Sequence, residues 1–180
     1  DLADASHLTY GVDMYNDVVD SFKNRFDVTT GNFLSARNPS YPDDGWSRQT
    51  GAFVQYDKQL NGRLGVTAGT RFTQSHVQAT PILKVDDDGD PLTDPVDTAV
   101  HISPSFDNWS ASCGLAYQLN AHLMLVGSIS EGFRAPNLDD LASNNDNVQQ
   151  AVADTPSIDL LPETSLSYEV ALRKETDDLR

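Results

Sequence analysis

Residues 51–72, GAFVQYDKQLNGRLGVTAGTRF, contain two runs of alternating side chains joined at Asn61-Gly62. In the second run, every other residue from Leu64 to Phe72 is apolar or threonine, and the residues between them are glycine, threonine or arginine. A period of two is the pattern of a β-strand with two unlike faces. Asn-Gly is also the dipeptide that best fits a two-residue type I′ turn. The stretch therefore predicts an antiparallel hairpin.

The same alternation recurs along the chain and predicts about six strands, over residues 7–19, 48–60, 63–75, 108–119, 122–133 and 164–174. Short and long connections alternate between these strands. Asn61-Gly62 and Asn120-Ala121 join two pairs, whereas long polar segments join the others. Long loops without structure of their own are uncommon in compact domains. Tight turns at one end and long loops at the other are typical of an outer-membrane β-barrel, with periplasmic turns and extracellular loops.

The two faces of each strand agree with an all-β antiparallel meander that forms part of a transmembrane barrel. In such a barrel the apolar face contacts lipid and the polar face lines the lumen. We therefore expect Arg71, Glu169 and Arg173 on the concave side of the sheet, and an apolar set on the convex side: Leu64, Val66, Leu115 and Val170. A soluble antiparallel sandwich with one buried face gives the same alternation. The sorting of the loops favours the barrel.

Composition excludes several classes of protein. The formal net charge of −15 disfavours nucleic acid as a partner, because both surfaces would carry the same sign. Cys113 is the only cysteine, which excludes an internal disulfide and a cysteine-rich metal site. No apolar run is long enough for a transmembrane helix, and the first residues do not resemble a signal peptide.

Motifs of enzymes are not found in the sequence. It contains no nucleophile elbow, no His-Glu-x-x-His run and no phosphate-binding glycine loop, so we expect no enzymatic activity. The four histidines are scattered over different segments. His76 and His101 lie at the two ends of one long loop, where they could meet as ligands of a metal or haem, although solvated loop residues are the commoner case.

Two stretches, SISEGFRAPNLDDL at 128–141 and LLPETSLSYEVALR at 160–173, resemble the paired signature of TonB-dependent outer-membrane receptors. In that signature a strand rises to Phe-Arg-Ala-Pro, an extracellular loop follows, and the next strand descends from Pro-Glu. The matching residues are Gly132, Phe133, Arg134, Ala135, Pro136, Pro162 and Glu163. Proline has no N–H and cannot continue a ladder, and Gly132 is expected to permit the change of backbone direction.

The resemblance implies a receptor in the bacterial outer membrane that imports a scarce nutrient, most often an iron chelate. Its partners would be outer-membrane lipid, a ferric chelate and the inner-membrane energy-coupling protein TonB, reached through a plug. A barrel of about 22 strands surrounds the plug in such receptors. Residues 1–180 would then be a partial barrel domain that lacks the plug and the remaining strands. A passive porin-type barrel and a soluble acidic sandwich that binds a ligand remain the alternatives.

The segment after the signature departs from that of haem receptors in this family. Those receptors often have a histidine between Phe-Arg-Ala-Pro and an Asn-Pro-Asn-Leu box, whereas this segment has no histidine and carries SIDLLPE at 157–163. Aspartates also crowd two of the long loops, and an acidic entrance repels anionic cargo unless basic residues offset it. Arg37, Arg48 and Arg134 are the arginines available for pairing with an anion.

The stretch VDDDGDPLTDPVD at 85–97 partly resembles the oxygen spacing of a calcium loop. The candidate ligands are Asp86, Asp88, Asp90 and Asp97. Pro91 stands where an EF-hand needs glycine, and the last ligand is aspartate instead of glutamate. Calcium would relieve the repulsion between these carboxylates, so we expect weak calcium binding by this loop and predict no other cofactor.

Overall fold

The structure is a computed structural model that describes residues 6–37, 41–85, 96–143, 145–147, 152–154 and 156–175. It is built almost entirely from β-strands. In chain order the elements are β1 (Ser6–Val19), β2 (Lys23–Phe26), β3 (Phe33–Arg37), β4 (Gly45–Asn61), β5 (Leu64–Gln78), β6 (Ile82–Val85), β7 (Val96–Ala99), β8 (Ser105–Asn120), β9 (Leu123–Arg134), the short helix α1 (Leu138–Ala142), β10 (Asn145–Asn147), β11 (Val152–Asp154) and β12 (Glu163–Lys174).

The main sheet confirms the predicted meander. Its six strands are hydrogen-bonded in the order β1, β4, β5, β8, β9, β12, and each pair is antiparallel. The short turns after β4 and after β8 lie at one end of the sheet, which we call the turn end. The long connections leave from the opposite end, which we call the loop end. The described strands of this sheet form one meander in sequence order, which is the arrangement expected for a barrel wall and not for two facing sheets.

The two turns repeat one local design that the sequence analysis missed. Each begins with Gln-Leu-Asn, at residues 59–61 and 118–120. Asn61 Oδ1 accepts hydrogen bonds from the backbone N–H groups of Arg63 and Leu64, and Asn120 Oδ1 accepts one from His122. The predicted type I′ turn needs two positive φ angles, but the only described residues with positive φ are Gly31 and Asp44. That prediction is wrong because asparagine side chains cap these turns.

Register places the residues of each strand on the expected faces. Along β5 the apolar face carries Leu64, Val66, Ala68, Thr70 and Phe72, and the polar face carries the residues between them. Arg71 lies opposite Ser110, while Glu169 lies opposite Ser128. Both therefore share the polar face, together with Arg173 four residues further along β12.

The apolar face is bare in the described structure. Val12 and Val170 are each 81% exposed, and Tyr168 is 72% exposed. A soluble protein would bury such a surface against a second layer of structure. Phe72 and Trp109 pack together on this face towards the loop end, with ring centroids 5.2 Å apart. The described segments include no helix with the length and apolarity needed to cross a bilayer.

Depressions in the sheet open mainly on the polar face. One of about 400 Å³ is lined by residues that include Asp57, Thr67 and Gly114. Another of about 320 Å³ is lined by residues that include Gln55 and Ser112. Many of the residues that line these depressions lie on the polar face. This placement agrees with the expected lumen.

An ion pair on the polar face spans three strands. Arg71 of β5 donates to both carboxylate oxygens of Asp13 on β1, at 2.8 and 2.7 Å, and its Nε donates to Thr73 Oγ1 at 3.1 Å. Its guanidinium passes over Gly51 of β4, where an added Cβ would collide with Arg71 Nη2. Glycine at position 51 therefore leaves room for the guanidinium in this position.

Replacing Gly51 with alanine should break the Arg71–Asp13 pair and lower the urea midpoint of unfolding. The new methyl group occupies the position of the guanidinium, which must swing away from the carboxylate. Gly127→Ala is the matched control, since its Cβ would meet nothing nearer than a carbonyl oxygen at 3.9 Å. Unfolding of both variants in detergent would be followed by tryptophan fluorescence. Equal midpoints for the two variants would contradict this prediction.

A small hydrophobic core lies at the loop end and is formed by Val77, Ala79, Ile102, Leu138, Leu141 and Ala142. Val77 and Leu141 are completely buried. The long connections also form three hairpins, β2 with β3, β6 with β7 and β10 with β11. The core joins the outer parts of β5 and β8 to helix α1, so it fixes the segment that follows the predicted family signature.

Candidate functional site

The signature residues meet at the loop end of β9 and β12. Gly132, Phe133 and Arg134 end β9, and Ala135 and Pro136 follow it. On the other side of the connection, Pro162 directly precedes Glu163, which is the first residue of β12. Arg134 and Glu163 are partners in the β9–β12 ladder. The two halves of the signature, far apart in sequence, therefore form one site.

Arg134 links three segments through its guanidinium group. Nη2 donates to Asp140 Oδ2 at 2.7 Å, and Nη1 donates to Glu163 Oε1 at 3.3 Å. Asp140 belongs to helix α1, whereas Glu163 begins β12. This geometry gives a physical reason why arginine and glutamate occur in the same signature: together they tie the helix to both strands. We call these three charged residues the Arg134 clamp.

Glycine acts differently from the expectation drawn from sequence, whereas proline lies where the strand was expected to end. Gly132 lies inside β9 and its φ is not positive, so it does not redirect the chain. A Cβ at this position would instead lie 2.5 Å from Ser165 Oγ, which means that glycine permits close approach of β12. Pro136 is buried and follows the last strand residue by two positions. The strand ends next to proline, as predicted.

Helix α1 was not predicted, although its start signal is readable in the sequence. Asn137 Oδ1 accepts from the backbone N–H of Asp140, and Asp140 Oδ2 accepts from the backbone N–H of Asn137. This is a reciprocal capping box with aspartate in the place of glutamate. Since the helix has only five residues, its stability must come from these caps and from packing.

Residues 135–142, which we call the shelf, reach across the loop end of the sheet. Leu138 packs against Gly45 of β4, where an added Cβ would lie 3.0 Å from Leu138 Cδ2. Leu141 and Ala142 belong to the small core with Val77. The shelf leaves β9 and contacts β4, so it passes over β8 and β5 on the way. It therefore connects the loop ends of β9, β5 and β4.

Tyr41 attaches the segment before β4 to the shelf. Its phenol forms a hydrogen bond with Asp139, and this bond, with the negative charge of the carboxylate, raises the pKa of Tyr41. The neutral phenol can donate to the carboxylate, whereas a phenolate would be repelled by it. The bond therefore connects the first long connection to the third.

We expect Tyr41 to titrate above the usual tyrosine pKa of about 10. Because the pKa is raised in the folded state, the stabilising contribution is complete below pH of about 10 and is lost as pH rises through the raised value. The measurement is tyrosinate absorbance of the wild type minus that of Tyr41→Phe. Asp139→Asn should return the pKa of Tyr41 towards its usual value. A pKa of Tyr41 at or below 10 would be inconsistent with the observed bond.

The predicted calcium ligands are mostly outside the described residues. Asp86, Asp88 and Asp90 lie in residues 86–95, which the structure does not describe. For Asp97 the structure gives only a backbone position in β7, opposite Lys84. Calcium binding by this loop stays a prediction. A different group of carboxylates is visible in the described segments: the oxygens of Asp20, Asp43 and Asp44 lie within 4.8 Å of one another and are exposed.

The two histidines considered as a shared site contact different partners. His76 Nε2 lies 3.1 Å from Ser103 Oγ, and its ring stacks on Trp46 at 5.1 Å. His101 Nδ1 lies 3.4 Å from Thr80 Oγ1. In the β5–β8 ladder His76 is opposite Ser105, four residues beyond His101. The idea that these histidines bind one metal or haem is therefore not supported by the geometry.

Comparison with known proteins identifies the family. The family model described as "TonB dependent receptor-like, beta-barrel" matches residues 1–180. The chain belongs to the TonB-dependent receptor β-barrel family. Members of this family are outer-membrane barrels that act as transporters, not enzymes. A search of curated proteins gave no significant sequence match.

Solved structures that are similar to this chain include a hemophore receptor and a copper transporter. The Serratia marcescens hemophore receptor HasR, solved as a double mutant with its hemophore HasA and heme, is similar with a TM-score of 0.76 at 15% identity. The copper transporter OprC is similar with a TM-score of 0.70 at 17% identity. The matches cover 99% and 96% of this chain but only 28% and 26% of those structures. At these identities the likeness concerns the fold alone.

Proposed function

We propose that this chain forms part of the wall of an outer-membrane transporter that imports a scarce nutrient as an iron chelate. The observation that carries the proposal is a single antiparallel sheet whose apolar face is bare in the described structure, with tight turns at one end and long connections at the other. Lipid is the environment that such a face requires. The family match supports a transporter over a passive porin.

The open edges of the sheet support a larger barrel. β1 and β12 each have one neighbour in the described sheet. Unpaired edges are costly in lipid, because no water is present to hydrogen-bond with them. Six strands are also too few to close a wide barrel, whose diameter grows with strand number. We therefore propose that further strands, a plug and a contact with TonB complete the transporter.

The cargo is proposed from the resemblance of the signature and from metal-bearing cargo among similar structures. HasR is recorded with heme, and OprC is described as a copper transporter. An iron chelate resembles both cargoes in carrying a metal, and it resembles heme in holding that metal inside an organic ligand. The described residues of the polar face offer hydrogen-bonding groups to such a ligand. The transporter would bind and release its cargo unchanged.

Uptake of radioactive ferric chelates by iron-starved cells tests this function. Deleting the gene should remove uptake of at least one chelate, and removing TonB from cells that retain the gene should remove the same uptake. Complementation with the complete gene is the control. Uptake that continues without TonB would indicate a passive porin, and a protein found outside the outer-membrane fraction would contradict the proposed location.

A further inference from the structure

The ladder between β8 and β9 stops before either strand ends. Its last pair towards the loop end is Ser112 with Ser130. Beyond that pair, β8 continues to Ser105 beside β5, and β9 continues to Arg134 beside β12. Glu131 bridges the opening, since its Oε2 accepts from the backbone N–H of Ala111 at 3.0 Å. The two strands therefore separate at the loop end.

A cavity of about 360 Å³ lies where the strands separate. Its walls come from β4, β5, β8 and the end of β9, and they include Gln49, Arg71, Thr73, Ser110, Phe133 and Arg134. Separation of β9 from β8 allows the signature residues to lie beside polar-face residues of β4 and β5. No carboxylate of the described residues lines this cavity, even though the chain as a whole is strongly acidic.

The two arginines are held in place by carboxylates that lie outside the cavity wall. Asp13 and Thr73 fix Arg71, whereas Asp140 and Glu163 fix Arg134. A guanidinium has five N–H donors, so these contacts leave donors on both side chains. Fixed arginines lose less conformational freedom on binding, and their planar donors suit carboxylate oxygens. Gln49 and Ser110 add neutral hydrogen-bonding groups.

We propose that this cavity binds a carboxylate-type anionic group of the transported chelate. This inference rests on the proposed function and adds to it the class of cargo and the residues that select it. Arg71 supplies the main recognition, because it lies on the polar face and is held by Asp13, which is outside the shelf. Because both guanidinium groups are already paired with carboxylates, their remaining N–H donors would recognise the anion by hydrogen bonding and not by an excess of positive charge.

Binding of three probes to the complete receptor in detergent tests the inference. Ferric citrate and haem carry carboxylates, whereas a neutral ferric trishydroxamate does not. The main variant is Asp13→Asn with Arg71→Gln, which removes the guanidinium without leaving an unpaired carboxylate. Arg71→Lys keeps the charge and loses the planar donors. Arg48→Gln is the matched control, because Arg48 lies on the opposite face and contacts Asn16 and Trp46.

We expect the wild type to bind at least one carboxylate probe more tightly than the neutral chelate. In the double variant the Kd for that probe should rise about 10- to 100-fold, the range for loss of hydrogen bonds to a charged group. The Kd for the neutral chelate should not change, and Arg48→Gln should behave as wild type. Arg71→Lys should fall between wild type and the double variant.

Three results would overturn the inference. They are tighter binding of the neutral chelate by wild type, an unchanged preference in the double variant, and an equal loss for all probes. The first of these leaves chelate transport intact, because cells would still take up the neutral chelate. Failure of every chelate in the uptake assay would instead overturn the proposed function together with this inference.

Discussion

Replacing Leu115 with arginine is expected to lower the free energy of unfolding of the barrel by about 2 to 4 kcal/mol. Leu115 is 51% exposed on the apolar face of β8, and Cys113 and Tyr117 lie on either side of it on that face. In the bilayer its neighbours are lipid chains, which cannot solvate a guanidinium. The cost is largest near the midplane of the membrane and falls towards the interfaces.

Ala116→Arg is the matched control for this substitution. Ala116 is the next residue of β8, and the alternation of side chains along a strand places it on the polar face with Gly114 and Gln118. An arginine there points into the hydrated lumen, so we expect a much smaller effect. The measurement is reversible urea unfolding in lipid vesicles, followed by tryptophan fluorescence. An equal loss of stability for both variants would mean that the apolar face does not contact lipid.

The sheet was predictable from sequence because its signals are local. A strand with one apolar face has a period of two, and that period can be read within a single segment. The segment predicted at 63–75, for example, is the strand Leu64–Gln78 in the structure. The order of strands followed from the positions of tight turns. The type of turn did not follow, because propensity favours a type I′ turn at Asn61-Gly62, whereas the side chain of Asn61 stabilises a different one.

Structure inside the long connections was harder to predict. Hairpin β2–β3 depends on Asp27, whose carboxylate accepts hydrogen bonds from the backbone of Thr29 and Thr30. Helix α1 is too short to produce a helical period in the sequence. Only the Asn-x-x-Asp pattern at residues 137–140 indicated its start. Short elements of this kind depend on side-chain caps, and a cap formed by one or two residues is a weak signal in the sequence.

The signature located the site in the sequence, but the residues that contact it across other strands could not be predicted. Residues 132–136 and 162–163 were placed by resemblance, and the structure brings them together as expected for neighbouring strands. Arg71 was expected only to face the lumen. Its pairing with Asp13, 58 residues away, depends on the intervening Gly51, and no local pattern links these three positions. Contacts across several strands depend on tertiary structure.

Two sets of contacts hold the shelf in place, the Arg134 clamp and the small hydrophobic core. Mutations can test them separately. In the Arg134 clamp, Arg134 and Glu163 are exposed to solvent and Asp140 is half-buried, and ion pairs at exposed positions contribute modestly. The small core is buried, and Leu141 within it has no solvent exposure. Burial of apolar side chains is the larger of these two effects. The position of the shelf should then depend more on Leu141 than on the charges.

Leu141→Ala should weaken the docking of the shelf by about 2 to 5 kcal/mol, the range for removing a buried leucine side chain. A helix of five residues does not persist without its packing, so the whole segment should open together. The measurement is hydrogen exchange of the backbone amides of residues 137–143 in the complete receptor. Exchange there should accelerate, while exchange in β4 and β5 at the turn end should not change.

Leu161→Ala is the control for this prediction, because Leu161 belongs to the same connection but is 80% exposed. It removes the same atoms without opening a cavity, and amides of residues 137–143 should exchange as in wild type. Protection that survives in Leu141→Ala would show that the Arg134 clamp holds the shelf alone. In that case Asp140→Asn, which weakens the clamp, should release the segment instead.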